Sequence, residues 1–325
     1  MMAQITTTPA WWWGAFVLFI LAFLAVDLKI LHRNPSVVSY RQALRWSVFW
    51  ATLAMLFAVA LVFLRNREES VEFITGYLIE LSLSMDNVFI IALLFAYFRV
   101  APEFQHRVLF WGILGALVMR GILIGVGAEL ISHYQWVLYL LGLFLLFAGI
   151  KMLFTDDRPV EPEKNPVMRL ARKILPIYSG DHGGRMRVKV SGKTMLTSLA
   201  LVLLMIEITD LVFALDSIPA IFAVTTKPFI VFTSNVFAIL GLRSLYFLLA
   251  GAMGYFRYLK VGLAIVLVFV AVKMLLSPHG ESQYWFQVEI PTLASLATIA
   301  AILAATMLLS ITAARREKQT ADAPK

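Results

Sequence analysis

The sequence contains no cysteine. Disulfides, thiolate metal sites and thiol redox chemistry in the chain itself are therefore excluded. Charge is also scarce: 15% of the 325 residues are Asp, Glu, Lys or Arg, while 60% are hydrophobic. A soluble domain carries about 25% charged and about 45–50% apolar residues, so a soluble globular protein is excluded as well. Closed transmembrane barrels show short alternating strands, and the apolar runs here are long and unbroken. There is no phosphate-binding glycine loop, no HExxH pattern and no Ser–His pairing, so neither an enzyme nor a bound organic cofactor is expected. The first 14 residues, MMAQITTTPAWWWG, lack a basic region and a small-residue cleavage site. The apolar run that follows reads as an uncleaved span, with Trp11, Trp12 and Trp13 as an interfacial belt.

What is present is an all-α, polytopic helical pattern. Mean hydropathy is +0.82, and a span takes about 20 apolar residues. Nine helices are expected at residues 12–31, 45–64, 73–98, 107–131, 135–154, 194–224, 229–252, 257–276 and 287–311. Lysine and arginine crowd into alternate loops. Of the 28, 21 lie on one side or in the C-terminus, and three, Arg65, Arg67 and Lys227, lie in the opposite loops. That bias predicts a bacterial inner-membrane protein with its N-terminus outside and its C-terminus cytoplasmic. The same bias accounts for the +8 net charge without a nucleic-acid partner; the lipid bilayer is the partner expected. Residues 155–193 form the one long polar segment. It opens with Pro159, Pro162 and Pro166, continues through VMRLARKIL as a short amphipathic helix, and reaches Gly183-Gly184 before a short RMRVKV strand.

Three helices repeat three helices. Glu80-LSLSM-Asp86-Asn87 aligns with Asp210-LVFAL-Asp216-Ser217. Ile113-Leu114-Gly115 followed by Arg120 matches Ile239-Leu240-Gly241 followed by Arg243. Ile150-Lys151-Met152-Leu153 matches Val272-Lys273-Met274-Leu275. An odd number of spans per repeat makes the two repeats inverted, as in many secondary transporters. The expected organisation is a two-helix segment (1–72), a first repeat (73–154), a cytoplasmic linker (155–193), a second, inverted repeat (194–276), and a last helix with its tail (277–325).

Carboxylates stand in the middle of these apolar helices. Each ionised one costs roughly 2.5–3.5 kcal/mol on insertion scales, and five together on the order of 12–18 kcal/mol. They require neutralisation by Arg120 and Arg243, by protons or by a bound cation. If the two arginines take two of five acids, three negative charges remain, enough for one divalent cation and one proton. Glu80 and Asn87, and likewise Asp210 and Ser217, are two turns apart on one helix face; Glu207 and Asp210 are i,i+3 neighbours. Asp86 and Asp216 lie about 120° round from those faces, and a helix break at Pro219 is expected to bring them in. The candidate metal ligands are thus Glu80, Asp86, Asn87, Glu207, Asp210, Asp216 and Ser217. All offer oxygen, which suits Mn, Mg or Ca. Met85 and Met205 read as packing residues, Asn235 as either interhelical glue or pathway lining. Asp27 beside Lys29 reads as a local ion pair, and His106, His133 and His279 fall in loops. Gly121, Gly125 and Gly127 read as sites of close helix packing.

ELSLSMDNVF at 80–89, EITDLVFALDSIPAIFAVT at 207–225 and TSNVFAILGLRSLYFLL at 233–249 together resemble the TerC/Alx family of integral membrane proteins, whose name comes from tellurium resistance. The resemblance covers about residues 12 to 311. It implies manganese homeostasis by export of Mn(II) from the cytoplasm, with the seven residues above carrying the site; coupling to protons is an expectation of the charge count alone. The rival expectation is an accessory membrane scaffold in a stress- or tellurite-resistance complex, supported by the basic loop alone.

Overall fold

The structure, a computed structural model, describes residues 8–31, 39–154, 176–178, 184–190, 193–249, 258–278 and 287–321. The loop prolines, the VMRLARKIL segment and His279 fall outside the described residues, as do the side chains of Asp27 and Lys29. Among the described residues there are nine helices: α1 (Ala10–Leu31), α2 (Tyr40–Leu64), α3 (Arg67–Tyr97), α4 (Pro102–His133), α5 (Trp136–Phe154), α6 (Ser198–Phe222), α7 (Pro228–Leu249), α8 (Leu259–Leu276) and α9 (Thr292–Ala321). Seven of them (α2 to α7, and Thr292–Ala313 within α9) are long and apolar enough to cross a membrane, and α1 adds a shorter apolar stretch. The protein is a polytopic helical membrane protein.

Several helices start earlier than apolar periodicity indicates, because caps and not hydrophobicity set their ends. Ser39 accepts a hydrogen bond from the Gln42 backbone N–H at 3.3 Å and starts α2 at Tyr40. Asn66 accepts from the Glu69 N–H at 2.7 Å and starts α3 at Arg67. Both use a side-chain oxygen to satisfy an amide that the first turn leaves orphaned. Pro102 opens α4, where its missing N–H costs nothing.

α7 is buried along most of its length, and α3 is the next most enclosed span; α2 and α9 are mainly exposed. α3 and α7 therefore form the centre. α3 packs on α6, α4 on α7 and α5 on α8, while α3 also packs on α7 and α4 on α6. Exchange of the triplets α3–α5 and α6–α8 maps this set of contacts onto itself, which is the pattern an internal two-fold generates.

The small polar sheet follows the expected strand. Its order is β1 (Ile177–Tyr178), β3 (Lys193–Thr197), β2 (Arg187–Val190). β2 and β3 are antiparallel, with Arg187 opposite Leu196 and Val190 opposite Lys193. Strand pairing thus claims residues 193–197, and α6 starts at Ser198, not at 194. Gly184, at φ +75°, makes the turn before β2.

Trp11 is exposed, whereas Trp12 and Trp13 pack edge-on against Phe229, with ring centroids 5.9 and 5.3 Å away. Two local expectations are corrected. α6 continues through Pro219 to Phe222. Pro219 lies so near the helix end that only the bond to the Leu215 carbonyl is lost. Of the three glycines in GILIGVG, Gly127 meets Phe222 closely and Gly121 meets Phe232, whereas Gly125 faces open space.

Candidate functional site

Arg120 is the largest fully buried side chain among the described residues, 1% exposed. It stands in the middle of α4, where an unpaired cation would be costly, and the surrounding helices supply acceptors to all three of its nitrogens. Its Nε donates to Asp210 Oδ2 at 3.1 Å and its Nη2 to Asp210 Oδ1 at 2.9 Å, a two-pronged pairing. Its Nη1 donates to Glu80 Oε1, to Asn235 Oδ1 at 2.8 Å and to Ser217 Oγ at 3.1 Å. Glu80 comes from α3, Asp210 and Ser217 from α6, and Asn235 from α7, so one guanidinium joins four helices. Planar, five-donor geometry is what makes arginine able to do this.

A second ring of contacts orients the first. Asn87 Nδ2 donates to Asp210 Oδ1 at 3.1 Å, and Ser84 Oγ donates to Glu80 Oε1 at 3.3 Å. The amide of Asn87 must face the carboxylate with its nitrogen, since its oxygen there would meet a like partial charge. That leaves Asn87 Oδ1 buried with no donor, and Glu80 Oε2 is in the same condition. Beside Asn87 and Asp210 lies a cavity of about 20 Å³, bounded also by Gly112, Ala116 and Thr209. It has room for about one water molecule.

The structure brings together four of the seven candidate ligands: Glu80, Asn87, Asp210 and Ser217. Asp86, Glu207 and Asp216 are half-buried and are not among the partners of Arg120. Glu207 rests its carboxylate against Gly115 on α4, where a Cβ would push that carboxylate aside. Asp216 lies within electrostatic reach of Lys151, and the corresponding Lys273 lies within reach of Glu72. Among the described residues no group of three or more His, Asp or Glu side chains is arranged to hold a metal ion.

Arg243 is buried near Trp46, Trp50, His106 and Ser244 and is not a member of the Arg120 cluster. Arg120 follows its Ile-Leu-Gly triplet by five residues and Arg243 by two. A three-residue difference turns a side chain by 300° about the helix axis, so the two arginines cannot be equivalent. Arg120 alone pairs with both Glu80 and Asp210. Asn235 proves to be an Arg120 partner, and its only sequence signal was an amide in an apolar helix. Met85 and Met205 pack in the apolar core, as read from sequence.

At the end of the bundle where α3 begins, an open vestibule of about 950 Å³ is lined by Arg67, Glu68, Glu72, Thr225, Lys227, Lys273 and Glu289, among others. Lys227 Nζ lies 3.2 Å from Glu72 Oε2 and 3.7 Å from Glu69 Oε1. Thr225 Oγ1 donates to Glu72 Oε2 at 2.9 Å. These bonds fasten the α6–α7 turn to the first turns of α3.

Comparison with known proteins gives the family of the chain. Residues 65–318 match the family model described as the integral membrane protein TerC family. An uncharacterized membrane protein of Myxococcus xanthus is 45% identical over 314 residues, covering 96% of this chain and 96% of the relative. A protein of Photorhabdus laumondii named "Putative membrane-bound redox modulator Alx" is 44% identical over 311 residues, 92% of this chain and 94% of its own. The Escherichia coli K12 protein of the same name is 43% identical over 307 residues, 92% and 93% of the two chains. No solved structure matches.

Proposed function

From the premise that this chain belongs to the TerC family of integral membrane proteins, we propose that it transports divalent metal ions and exports Mn(II) from the cytoplasm of a bacterium, in exchange for protons. The observation that carries the reading is an imbalance at the membrane-buried cluster. Two carboxylates face one guanidinium, which leaves one net negative charge when all three are ionised. Glu80 Oε2 and Asn87 Oδ1 are buried acceptors with no donor. A purely structural ion pair would close such groups off, because each unsatisfied buried acceptor costs about 1–3 kcal/mol. A cation or a proton supplies what is missing.

The donor set fits the ion. Carboxylate, amide and hydroxyl oxygens converge, with no thiolate or imidazole among them, and such sets favour hard divalent ions such as Mn(II) over Cu(I) or Zn. The Alx relatives are named for redox modulation; this chain has no thiol for such chemistry, and its buried charge suits an ion. With the N-terminus outside and the C-terminus inside, by the lysine and arginine bias, the vestibule beside Glu72 faces outward. The small cavity beside Asp210 then lies on the cytoplasmic side of Arg120. Support for protons as the exchanged ion comes from the same imbalance, since an empty site keeps its charge low by holding them.

The test is metal content in bacteria stripped of their own manganese exporters and challenged with Mn(II). Cells expressing the wild type should hold several-fold less Mn than cells expressing Asp210→Asn at equal membrane levels, with Mg, Ca and Zn unchanged. Equal Mn contents in the two strains would remove the proposal.

A further inference from the structure

Five oxygen atoms converge on the Arg120 guanidinium: Glu80 Oε1, both carboxylate oxygens of Asp210, Ser217 Oγ and Asn235 Oδ1. A hard divalent cation takes six to eight such donors, or six in octahedral form. We propose that Arg120 is the resting occupant of the transport site, a tethered cation that a divalent ion displaces on entry, and that Glu207 is the carboxylate that receives the displaced guanidinium. This rests on the transport reading above and adds what that reading lacks, a route by which metal reaches carboxylates already paired.

The geometry provides the destination. Glu207 has no cation within ion-pair distance among the described residues, yet it is half-buried in the middle of a span. It lies against Gly115, five positions before Arg120 on the same helix. Five positions turn a helix by about 500°, so Gly115 and Arg120 face different sides of α4, and it is Asp210 that links the guanidinium to Glu207. The absence of a Cβ at Gly115 is what lets Glu207 approach α4. Glu207 is also one helical turn from Asp210 on α6. A guanidinium leaving Asp210 therefore meets a second carboxylate before it meets lipid. The exchange keeps the charge of the region constant on the arginine side: a paired cation moves from one acid to another, and the incoming ion takes over the vacated oxygens.

The arrangement makes Arg120 a competitor of the ion, and competition has a sign opposite to that of a ligand or a structural lock. Binding of Mn(II) to the purified protein in nanodiscs, followed by loss of the free Mn(II) paramagnetic resonance signal, reads it. Arg120→Gln should bind Mn(II) about tenfold or more tightly than the wild type, within the usual range of coupling between sites. Glu207→Gln should bind about tenfold more weakly, because the arginine then has nowhere to go. In the Arg120→Gln background, Glu207→Gln should have no further effect, which separates a receiving acid from a direct metal ligand. Arg120→Lys, which retains the charge but not the fork of donors, serves if the Gln variant does not fold, and it too should bind more tightly than the wild type. Folded Arg120 variants that bind Mn(II) no more tightly than the wild type overturn the displacement proposal while leaving transport standing. A loss in the double variant as large as in Glu207→Gln alone overturns the role of Glu207. A wild type that binds no divalent ion overturns the transport reading, and this inference with it.

Discussion

Arg120 decides what the buried acids do. Asp210→Asn removes the negative charge and replaces one of the two oxygens that hold Nε and Nη2 with an amide nitrogen, and breaking one side of a buried pair costs about 3–5 kcal/mol. Asp210→Asn is therefore expected to lower the unfolding midpoint of the purified protein, and Asn235→Ala to lower it less, by the worth of a single hydrogen bond to a charged donor, about 1.5–3 kcal/mol. Thermal unfolding monitored by tryptophan fluorescence orders the two; Asn235→Ala costing as much as Asp210→Asn would contradict the bonding scheme. The acids themselves were legible in the sequence, since carboxylates in apolar runs announce themselves. Their division was not. Glu80, Asn87, Asp210 and Ser217 share a centre while Asp86, Glu207 and Asp216 do not, and that depends on where α4 sets one guanidinium. Gly115 carries the same lesson. Nothing in the sequence links it to Glu207, yet Gly115→Ala should displace that carboxylate and weaken Mn(II) binding in the same titration, without loss of membrane level.

The elements show why apolar periodicity finds helices but misjudges their ends. All nine helices lie where the hydrophobic runs place them. α2 and α3 nevertheless begin five or six residues early, because Ser39 and Asn66 cap polar first turns that a hydrophobicity window ignores. Ser39 with Gln42, and Asn66 with Glu69, have the spacing of a capping box and were the signals available. Pro219 misled in the other direction. A proline inside a span suggests a break, but here it falls in the last turn of α6, where a single lost bond is tolerated. Pro219→Ala restores an N–H for the Leu215 carbonyl and removes a residue that is unfavourable by up to about 3 kcal/mol in a helix interior. It should raise the unfolding midpoint and leave Mn(II) affinity unchanged. Weakened binding in that variant would mean that the local opening at Pro219 takes part in the site after all.

Across the whole molecule, orientation and coupling are what remain to be measured. The charge bias predicts a cytoplasmic C-terminus, so a fluorescent protein fused there should fold and glow, while alkaline phosphatase at the same place should be inactive; the reverse result inverts the direction of transport assigned here. The absence of cysteine helps, because a single cysteine introduced in the α6–α7 turn can be labelled from outside with no background. Coupling has a definite sign. If the empty site holds protons on its carboxylates, Mn(II) binding releases them, and affinity must rise as pH rises. An affinity that stays flat from about pH 6 to about pH 8.5 would remove proton exchange. The polytopic all-helical architecture was readable from composition alone. The mutual packing of the two helix triplets was readable from the repeated Glu80 and Asp210 motifs, although the Arg120–Arg243 correspondence was not, because the two arginines differ in register.

The most direct test of the account is Mn(II) flux through the purified protein. Reconstituted into sealed vesicles with a proton gradient and a trapped Mn(II)-quenched dye, the wild type should move Mn(II), dissipation of the gradient should slow it, and Asp210→Asn should be inactive. Flux in the Asp210→Asn variant equal to that of the wild type, or none in the wild type under any gradient, would contradict the claim that the carboxylates around Arg120 form the path of the ion.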